Sequence, residues 1–323
     1  MDYYKWLITG GTGSFGRFFV RKVLKERPED EITVYSRDEF KQYKMSLIFP
    51  KVKYVVGDVR DGSRLKEATE GINILVHAAA LKHVPVCERN PSEAIKTNVM
   101  GAMNVVEACK ANNIWTAVLL SSDKAVNPIN LYGASKLAAE KLFLAQDSGT
   151  GFRVVRYGNV MGSRGSAIPF FIEQAKQGEI TITDLRMTRF WLTMEKAVKA
   201  VYDHALFTNA SIVAGGPISL DGYIIIPKAP SMKIIDLAKA ISPQTPIKVI
   251  GIRPGEKLHE VLISKDEMRR TKETLEYYYI GKADTNGYYY EYSSDGNTVW
   301  LTSESYSQIV SNYNKEEHDL MAW

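Results

Sequence analysis

The chain has 323 residues, of which 45% are hydrophobic and 24% are charged, so it can bury the core of one large α/β unit or of two domains that share a cleft. Its 41 basic and 37 acidic residues give a net charge of only +4, which argues against nucleic-acid binding and is compatible with an anionic small ligand. Two cysteines (Cys87 and Cys109), the lack of a signal-peptide pattern and the lack of an apolar run of about 18 residues predict a cytoplasmic protein with free thiols and no membrane segment.

Short apolar segments alternate with helical segments in the first half of the chain. We predict strands at residues 6–9, 32–35, 54–56, 74–77, 117–120 and 152–156, and helices at residues 15–25, 94–112 and 133–145. This alternation predicts an α/β fold with a doubly wound parallel sheet, the Rossmann arrangement.

The pattern loosens after residue 158, which predicts a smaller mixed α/β domain. Its predicted elements are helices at residues 168–176 and 234–241 and a strand at residues 224–226. We assign residues 1–160, with parts of 192–226 and 257–275, to a dinucleotide-binding domain. Residues 161–191, 227–256 and 276–323 are assigned to a substrate-binding domain.

A glycine-rich turn connects the first predicted strand to the first predicted helix. Gly10, Gly13 and Gly16 form the pattern G-x-x-G-x-x-G, in which backbone amides and a helix N-terminus can approach a pyrophosphate. Because the strand–turn–helix context is present, the pattern predicts dinucleotide binding, with Ser14 and Phe15 at the same turn.

The residues after the second and third strands bear on which dinucleotide binds. An acidic residue directly after the second strand would favour NAD, but this chain has Ser36 and Arg37, which suit the 2′-phosphate of NADP. Asp38 and Glu39 follow at once, so NAD stays possible. Asp58, after the third strand, is expected near the adenine or as a helix N-cap.

Two groups of residues predict the chemistry. Tyr132 and Lys136 are four residues apart in a predicted helix and so share one face, where the ammonium is expected to lower the pKa of the phenol. The tyrosine can then accept a proton while a substrate hydroxyl is oxidised. Ser122, Asp123 and Lys124 follow the fifth strand, at the edge where doubly wound sheets bind ligands. An acid and a base at this position favour an elimination in addition to the oxidation.

These motifs resemble those of the extended short-chain dehydrogenase/reductases. The closer resemblance is to the inverting UDP-N-acetylglucosamine 4,6-dehydratases, hydro-lyases that begin pseudaminic acid and related amino-sugar pathways. It covers about residues 5 to 280 and includes Ser-Asp-Lys at 122–124 and Tyr-x-x-x-Lys at 132–136. The other segments that carry it are residues 9–16, 35–39, 57–61, 77–85, 125–128, 156–160, 162–166, 186–191, 226–228 and 253–260.

The resemblance implies a three-step reaction on UDP-N-acetylglucosamine. Tyr132 takes the C4 hydroxyl proton while NADP accepts the C4 hydride, Lys124 removes the C5 proton, and Asp123 protonates the departing C6 hydroxyl. Hydride then returns to C6, and C5 is protonated from the opposite face. The implied product is UDP-2-acetamido-2,6-dideoxy-β-L-arabino-hexos-4-ulose. Because Lys124 must be neutral to act as a base, we expect Lys136 and the oxidised nicotinamide to lower its pKa.

The resemblance also implies which residues contact the ligands. The cofactor contacts that it adds are Val59, Ala78, Ala79, Lys82 and Asn98. The substrate contacts are Lys82, Asn159, Arg189, Arg253 and Glu256. Arg253 is implied to pair with the UDP pyrophosphate and Glu256 to accept a ribose hydroxyl. For each substrate contact, a salt bridge at the surface or between domains is the alternative.

Other features of the sequence carry fewer consequences. His83 and His259 lack the spacing of metal ligands and are expected to be structural, so no metal site is predicted. The family resemblance implies a homo-oligomer. Residues 208–223 form a longer connection than is usual in the family, which we expect to be a surface loop or hairpin. The tyrosine-rich segments 277–279 and 288–290 are expected at surfaces or interfaces.

Three other functions are considered. A retaining 4,6-dehydratase typically carries Thr-Asp-Glu where this chain has Ser122-Asp123-Lys124, so the lysine argues against it. A UDP-sugar C4 epimerase does not need the acid–base pair after Ser122. A dinucleotide-sensing regulator without turnover usually lacks Tyr132 or Lys136, and both are present here.

Overall fold

Strands of apolar residues alternate with helices through the first half of the chain. The computed structural model describes residues 3–163, 166–206, 212–213, 216–217, 221–284 and 288–311. The strands are β1 (Lys5–Thr9), β2 (Glu31–Ser36), β3 (Lys53–Val56), β4 (Ile74–His77), β5 (Thr116–Ser122), β6 (Gly151–Tyr157), β7 (Asn159–Val160), β8 (Ile180–Ile182), β9 (Thr188–Leu192), β10 (Ile212–Val213), β11 (Gly216–Pro217), β12 (Ile224–Pro227), β13 (Ser231–Lys233), β14 (Ile247–Val249), β15 (Val261–Ile263), β16 (Thr271–Glu273), β17 (Tyr277–Ile280) and β18 (Tyr292–Ser293). The helices are α1 (Ser14–Glu26), α2 (Glu39–Ile48), α3 (Gly62–Ala68), α4 (Val84–Arg89), α5 (Pro91–Ile95), α6 (Gly101–Ala111), α7 (Leu131–Leu144), α8 (Ala167–Lys176), α9 (Met194–Leu206), α10 (Ile234–Ile241), α11 (Lys265–Met268) and α12 (Ser303–Ser311).

The largest sheet has nine strands in the order β16-β17-β12-β6-β5-β4-β1-β2-β3. The pairs from β3 to β12 are parallel, and in this register Ile8 of β1 lies opposite Val34 of β2 and Val76 of β4. The order β3-β2-β1-β4-β5-β6 is that of a doubly wound sheet, so the predicted Rossmann fold is confirmed.

Alternate residues of the central strands supply two separate cores, one on each face of the sheet. Leu7 and Leu75 pack with helices α3, α6 and α7, whereas Ile8 and Val76 pack with helices α1, α2 and α9. Because both faces are covered by helices, the strands read as nearly continuous apolar runs, which is the pattern that the sequence shows.

The prediction of one continuous α-helix over residues 94–112 is wrong at residues 96–100. Helix α5 ends at Ile95, the turn Lys96–Met100 is π-helical, and α6 follows from Gly101. A π-helical turn places one extra residue in the helical path, and such turns are frequent near functional sites. Here the turn contains Asn98, whose side chain reaches the loop after β4.

A third core lies outside the large sheet. It is built from helices α8, α10 and α12 and strands β8, β9 and β13, with buried Trp191 and Met232 among its members. Strands β13, β9 and β7 form a mixed three-stranded sheet next to it. No helix in the described ranges has both the length and the apolar character needed to cross a bilayer.

Strand β17 differs from two predictions. It pairs antiparallel with β12 and with β16 in the large sheet, so the assignment of all of 276–323 to the smaller domain is wrong for this strand. Tyr279, expected at a surface or an interface, is buried in one of the cores of that sheet. Both differences arise because an antiparallel strand extends the parallel sheet at its edge.

Parts of three predicted segments lie outside the described residues. In the long connection at 208–223, strands β10 and β11 form an antiparallel pair, and most of the remaining positions fall outside the described ranges. Arg164 and Gly165 of segment 162–166 and residues 312–323 are also outside them.

Candidate active site

A cleft of about 760 Å³ opens where the parallel strands end. Its walls are the turn after β1 and the residues that follow β2, β3, β4, β5 and β6. The predicted site residues that line it are Gly10, Gly13, Ser14, Phe15, Gly16, Ser36, Arg37, Asp58, Val59, Ala78, Ala79, Lys82, Ser122, Asp123, Lys124, Tyr132, Lys136 and Asn159. The parallel topology therefore brings together motifs that are far apart in the sequence.

The glycine-rich turn lies against the loop that follows β4. Gly10 has a φ of +67°, and a Cβ atom at this position would lie 2.8 Å from the backbone of Ala79. A Cβ atom at Gly16 would overlap the backbone of Gly11. Gly13 is the N-cap residue of α1 and lines the cleft together with Ser14 and Phe15, so the helix begins at the cleft, where its first backbone amides can bind an anion.

Two cations lie at the end of the cleft formed by β2 and β3. The Arg37 side chain is 55% exposed, and its Nη1 lies 3.7 Å from Asp58 Oδ2. Lys41, which the sequence analysis missed, also lines the cleft, and its Nζ lies 2.6 Å from Oδ2 of Asp38, the N-cap of α2. Ser36 is buried, and its Oγ accepts a hydrogen bond from Gln42. Lys41 was missed because helix α2 was not predicted.

The segment after β5 turns sharply into the cleft. Ser122 Oγ donates to Asp123 Oδ1 at 2.8 Å, and Lys124 Nζ donates to the same oxygen at 3.1 Å. The second carboxylate on Lys124 is Glu260, whose Oε1 lies 3.2 Å from Nζ. Sequence reasoning missed Glu260, although it is the last residue of segment 253–260.

Helix α7 brings Tyr132 and Lys136 to this segment. Asn130 Oδ1 accepts a hydrogen bond from the Gly133 N–H and caps the helix. A Cβ atom at Gly133 would collide with the carbonyl oxygen of Lys124, so the helix start can approach the Asp-Lys turn only with glycine there. One turn after Lys136, buried Glu140 pairs with Arg156 at 2.6 Å, which fixes the helix against β6.

The prediction that Lys136 lowers the pKa of Tyr132 is wrong for the protein without a bound cofactor. Burial raises the pKa of Tyr132 to about 12, and Lys124 and the Ser122 hydroxyl only partly oppose the rise. Burial also lowers the pKa of Lys136 to about 8, against the opposing effect of Glu140. Tyr132 is 9% exposed and Lys136 5%, so the desolvation of their charged forms outweighs the predicted attraction.

The expected lowering of the Lys124 pKa is also wrong. Burial alone lowers it, but the negative charges of Asp123 and Glu260 raise the pKa above the usual range for lysine. The prediction considered the cations near Lys124 and did not consider the second carboxylate. In the structure, Lys124 is therefore an ammonium held between two carboxylates.

The predicted substrate residues fall into two groups. Lys82 and Asn159 line the cleft, and Asn159 Oδ1 is buried with no hydrogen-bond partner in the described ranges. Arg189, Arg253 and Glu256 are not part of the lining. Arg189 is buried and donates to the carbonyls of residues 188, 257 and 258, so it holds the segment that carries the other two.

Asn98 is placed beside the cleft and not in its wall. Its side-chain amide forms two hydrogen bonds with the backbone of Leu81, each of 2.8 Å, and donates to Ser135 Oγ at 2.9 Å. Ser135 in turn donates to the carbonyl of Tyr132. Asn98 thus connects the loop after β4 to the helix that carries Tyr132.

Three further side chains near the cleft were given no ligand-binding role from the sequence. Ser163 and Ser166 line it, and Ser166 Oγ is buried with no hydrogen-bond partner in the described part of the chain. His83 also lines it and is the N-cap residue of α4. The segment 162–166 was noted for its resemblance, which is the signal that could have identified the serines.

Comparison with known proteins places the chain among sugar-nucleotide enzymes. A sequence model described as "Polysaccharide biosynthesis protein" matches residues 6–282. The chain is 45% identical to a UDP-N-acetylglucosamine 4,6-dehydratase (inverting) of Campylobacter jejuni, over 94% of this chain and 96% of the relative. It is 42% identical to a UDP-glucose 4-epimerase of Rickettsia rickettsii, over 93% of this chain and 89% of that one. The X-ray structure of Pen from Bacillus thuringiensis superposes with a TM-score of 0.85 at 34% identity, covering 96% of this chain and 98% of that one.

Proposed function

Because the chain belongs to the polysaccharide biosynthesis protein family, within the extended short-chain dehydrogenase/reductases, we propose that it is an inverting UDP-N-acetylglucosamine 4,6-dehydratase. The observation that carries the proposal is the placement of an acid–base pair, Asp123 and Lys124, in the same cleft as Tyr132. Oxidation alone requires the tyrosine, whereas loss of water across C5 and C6 requires a base and an acid as well.

We propose NADP as the cofactor, and the shape and charge of the cleft support it. The turn at Gly10, Gly13 and Gly16 packs so closely that a Cβ atom at Gly10 or Gly16 would collide with neighbouring backbone, and it leads into the start of α1, where backbone amides can bind a pyrophosphate. Arg37 and Lys41 supply two cations at the end where a 2′-phosphate would lie. When bound, the dinucleotide supplies the hydride acceptor for C4 and the hydride donor for C6.

The proposed roles of the protein groups follow from their positions. Tyr132, as a phenolate, takes the proton of the C4 hydroxyl, and Lys136, on the same face of α7, would hold the nicotinamide ribose. The positive charge of a bound oxidised nicotinamide would favour this phenolate, with the phenol proton released to solvent. Lys124 then removes the C5 proton, which the C4 ketone has acidified. Asp123 gives a proton to the C6 hydroxyl, which leaves as water. Lys82 and Asn159 are the cleft residues proposed to contact the sugar nucleotide.

A second candidate is a UDP-sugar C4 epimerase, which the similarity to the Rickettsia rickettsii relative favours. That reaction uses Tyr132 and the cofactor but gives Asp123 and Lys124 no catalytic role. The ion pair between these two residues in the cleft therefore favours the dehydratase.

The identity of the product tests the proposal directly. We expect the purified protein, incubated with UDP-N-acetylglucosamine in deuterated water, to form a 4-keto-6-deoxy sugar that carries deuterium at C5 and has the L configuration in proton NMR spectra. The reason is that C5 loses its proton to a protein base and regains one from the opposite face.

Each alternative gives a different spectrum. A C4 epimerase forms UDP-N-acetylgalactosamine without deuterium at C5, and a retaining dehydratase gives the D configuration. A regulator without turnover leaves the substrate unchanged. Any of these three spectra would contradict the proposal.

The preference for NADP has its own test. We expect the double substitution Arg37→Ala and Lys41→Ala to weaken NADP binding by about tenfold or more, because each cation can form a charge-assisted hydrogen bond with the 2′-phosphate. NAD binding should stay within about twofold, as this cofactor lacks that phosphate. Both affinities can be measured by titration calorimetry, with exposed Lys25→Ala of α1 as the control. Equal losses for the two cofactors would show that Arg37 and Lys41 do not recognise the 2′-phosphate.

A further inference from the structure

Glu260 lies next to Lys124, outside the lining of the cleft and directly before strand β15. Its side chain is only 3% exposed. Its backbone N–H donates to Ser294 Oγ at 2.9 Å, and its carbonyl accepts from the Ser294 N–H at 2.8 Å. This double attachment of the backbone fixes the carboxylate relative to the amine of Lys124.

Three cations surround the Glu260 carboxylate. Lys124 Nζ lies 3.2 Å from Oε1, Arg189 Nε lies 3.9 Å from Oε1, and Lys257 Nζ lies 3.9 Å from Oε2. Oε2 is buried and accepts no hydrogen bond from the described residues. Lys257 and Arg189 also donate to backbone carbonyls, whereas the two ion-pair partners of Lys124 Nζ in the described residues are carboxylates. The charge of Glu260 thus acts most directly on Lys124.

We propose that Glu260 is a positioning residue of the elimination, which holds Lys124 beside Asp123 as an ammonium until the substrate binds. The proposal rests on the proposed dehydratase function, since that function makes Lys124 the base. Glu260 itself is assigned no contact with substrate or cofactor.

The number of protons shared by Asp123 and Lys124 explains why a fixed negative charge from Glu260 would assist the elimination. An ammonium cannot act as a base, but Lys124 Nζ lies 3.1 Å from Asp123 Oδ1 and can pass a proton to it. The pair then consists of a neutral amine, the base for C5, and a carboxylic acid, the acid for the C6 hydroxyl. When the amine takes the C5 proton and the acid protonates the leaving hydroxyl, water departs and the original ammonium and carboxylate are restored.

The pair must therefore hold one proton when the elimination begins, and Glu260 opposes the loss of that proton. The charged or titratable groups that face Lys124 are Asp123 on its own turn, Tyr132 of α7, Arg189 of β9, and Glu260 and Lys257 of the segment before β15. Without the charge of Glu260, a single carboxylate would face the two nearby cations. The neutral fraction of Lys124 should then rise.

Trace acetylation of the full, substrate-free chain at pH 8 measures this fraction, because an amine reacts and an ammonium does not. The labelling of the Lys124 peptide is read by mass spectrometry relative to exposed Lys25. We expect Glu260→Gln to increase labelling of Lys124 by about tenfold, equivalent to about one unit of pKa. Glu260→Asp keeps the charge and should stay within about threefold of the wild type.

A matched control separates charge from packing. Glu267 is also a mostly buried glutamate in an ion pair, but its partner is Arg156 and not Lys124. Glu267→Gln should leave the labelling of Lys124 unchanged. Because no substrate is present, this experiment does not depend on the reaction that the protein catalyses.

Two outcomes of the labelling would overturn the proposal. One is equal labelling of Lys124 in the wild type and in Glu260→Gln. The other is an increase of the same size in Glu260→Asp or Glu267→Gln, which would report loosened packing. In the product assay, Glu260→Gln should lower kcat by about tenfold with an unchanged KM for the UDP-sugar, and an unchanged kcat would also overturn it.

Discussion

Lys124→Ala is expected to lower formation of the 4-keto-6-deoxy sugar by about 10³-fold while NADP still binds. The amine that would remove the C5 proton is then missing. Asp123 loses the partner from which it takes the proton that it later gives to the C6 hydroxyl. The remaining cleft, including the glycine-rich turn at the start of α1, is unchanged, so the cofactor keeps its binding surface.

The measurements for this variant must separate the steps. Product formation and deuterium at C5 are followed by NMR, and NADP affinity is followed by titration. The substitution leaves the carboxylates of Asp123 and Glu260 without their shared cation, so a lower melting temperature is expected. Retained NADP affinity is therefore the control for folding. Normal turnover by Lys124→Ala would remove Lys124 from the mechanism.

The sequence predicts the parts of the site that depend on neighbours along the chain. The turn at Gly10–Gly16 and the pair Tyr132 and Lys136 each lie within a few residues, so their spacing reflects their geometry. The end of a parallel strand is likewise recognisable from the apolar run before it, which located Ser122 and Asp58 at the edge of the sheet.

The parts that were missed depend on contacts between distant segments. Glu260 reaches Lys124 from the segment directly before β15, and no local pattern predicts that contact. It reverses the expected sign of the Lys124 pKa shift. Asn98 was predicted at the cofactor, but the π-helical turn of residues 96–100 directs it to Leu81 and Ser135. Helical propensity does not reveal such a turn, because it depends on packing against the neighbouring loop.

The prediction of helices and strands was limited in two ways. Helix α2 was not predicted because it exposes Phe40, Tyr43 and Leu47, which obscures the usual contrast between an apolar and a polar face. Strand β17 was assigned to the smaller domain because its position follows that domain in the sequence, whereas its pairing with β12 is a long-range contact. Sequence periodicity identifies elements and does not determine which sheet a late strand joins.

Tyr132→Phe is expected to stop the reaction one step earlier than Lys124→Ala. Tyr132 is the phenol of the cleft that shares a helix face with Lys136, and its phenolate oxygen is proposed to take the C4 proton. Without that acceptor, oxidation at C4 should slow by about 10³-fold. Because C5 becomes acidic only after C4 is a ketone, deuterium should not enter C5 of the substrate either.

The two variants together identify the order of the steps. Because Tyr132 is intact in Lys124→Ala, this variant should still oxidise C4 when NADP is present in stoichiometric amount. The absorbance of reduced nicotinamide near 340 nm should then rise although no product forms. Tyr132→Phe should show neither that absorbance nor exchange at C5. Tyr202→Phe, a buried tyrosine of α9 outside the lining of the cleft, serves as the control and should behave like the wild type. Exchange at C5 in Tyr132→Phe would mean that proton removal by Lys124 does not depend on the ketone, and the proposed sequence of oxidation before elimination would then be wrong.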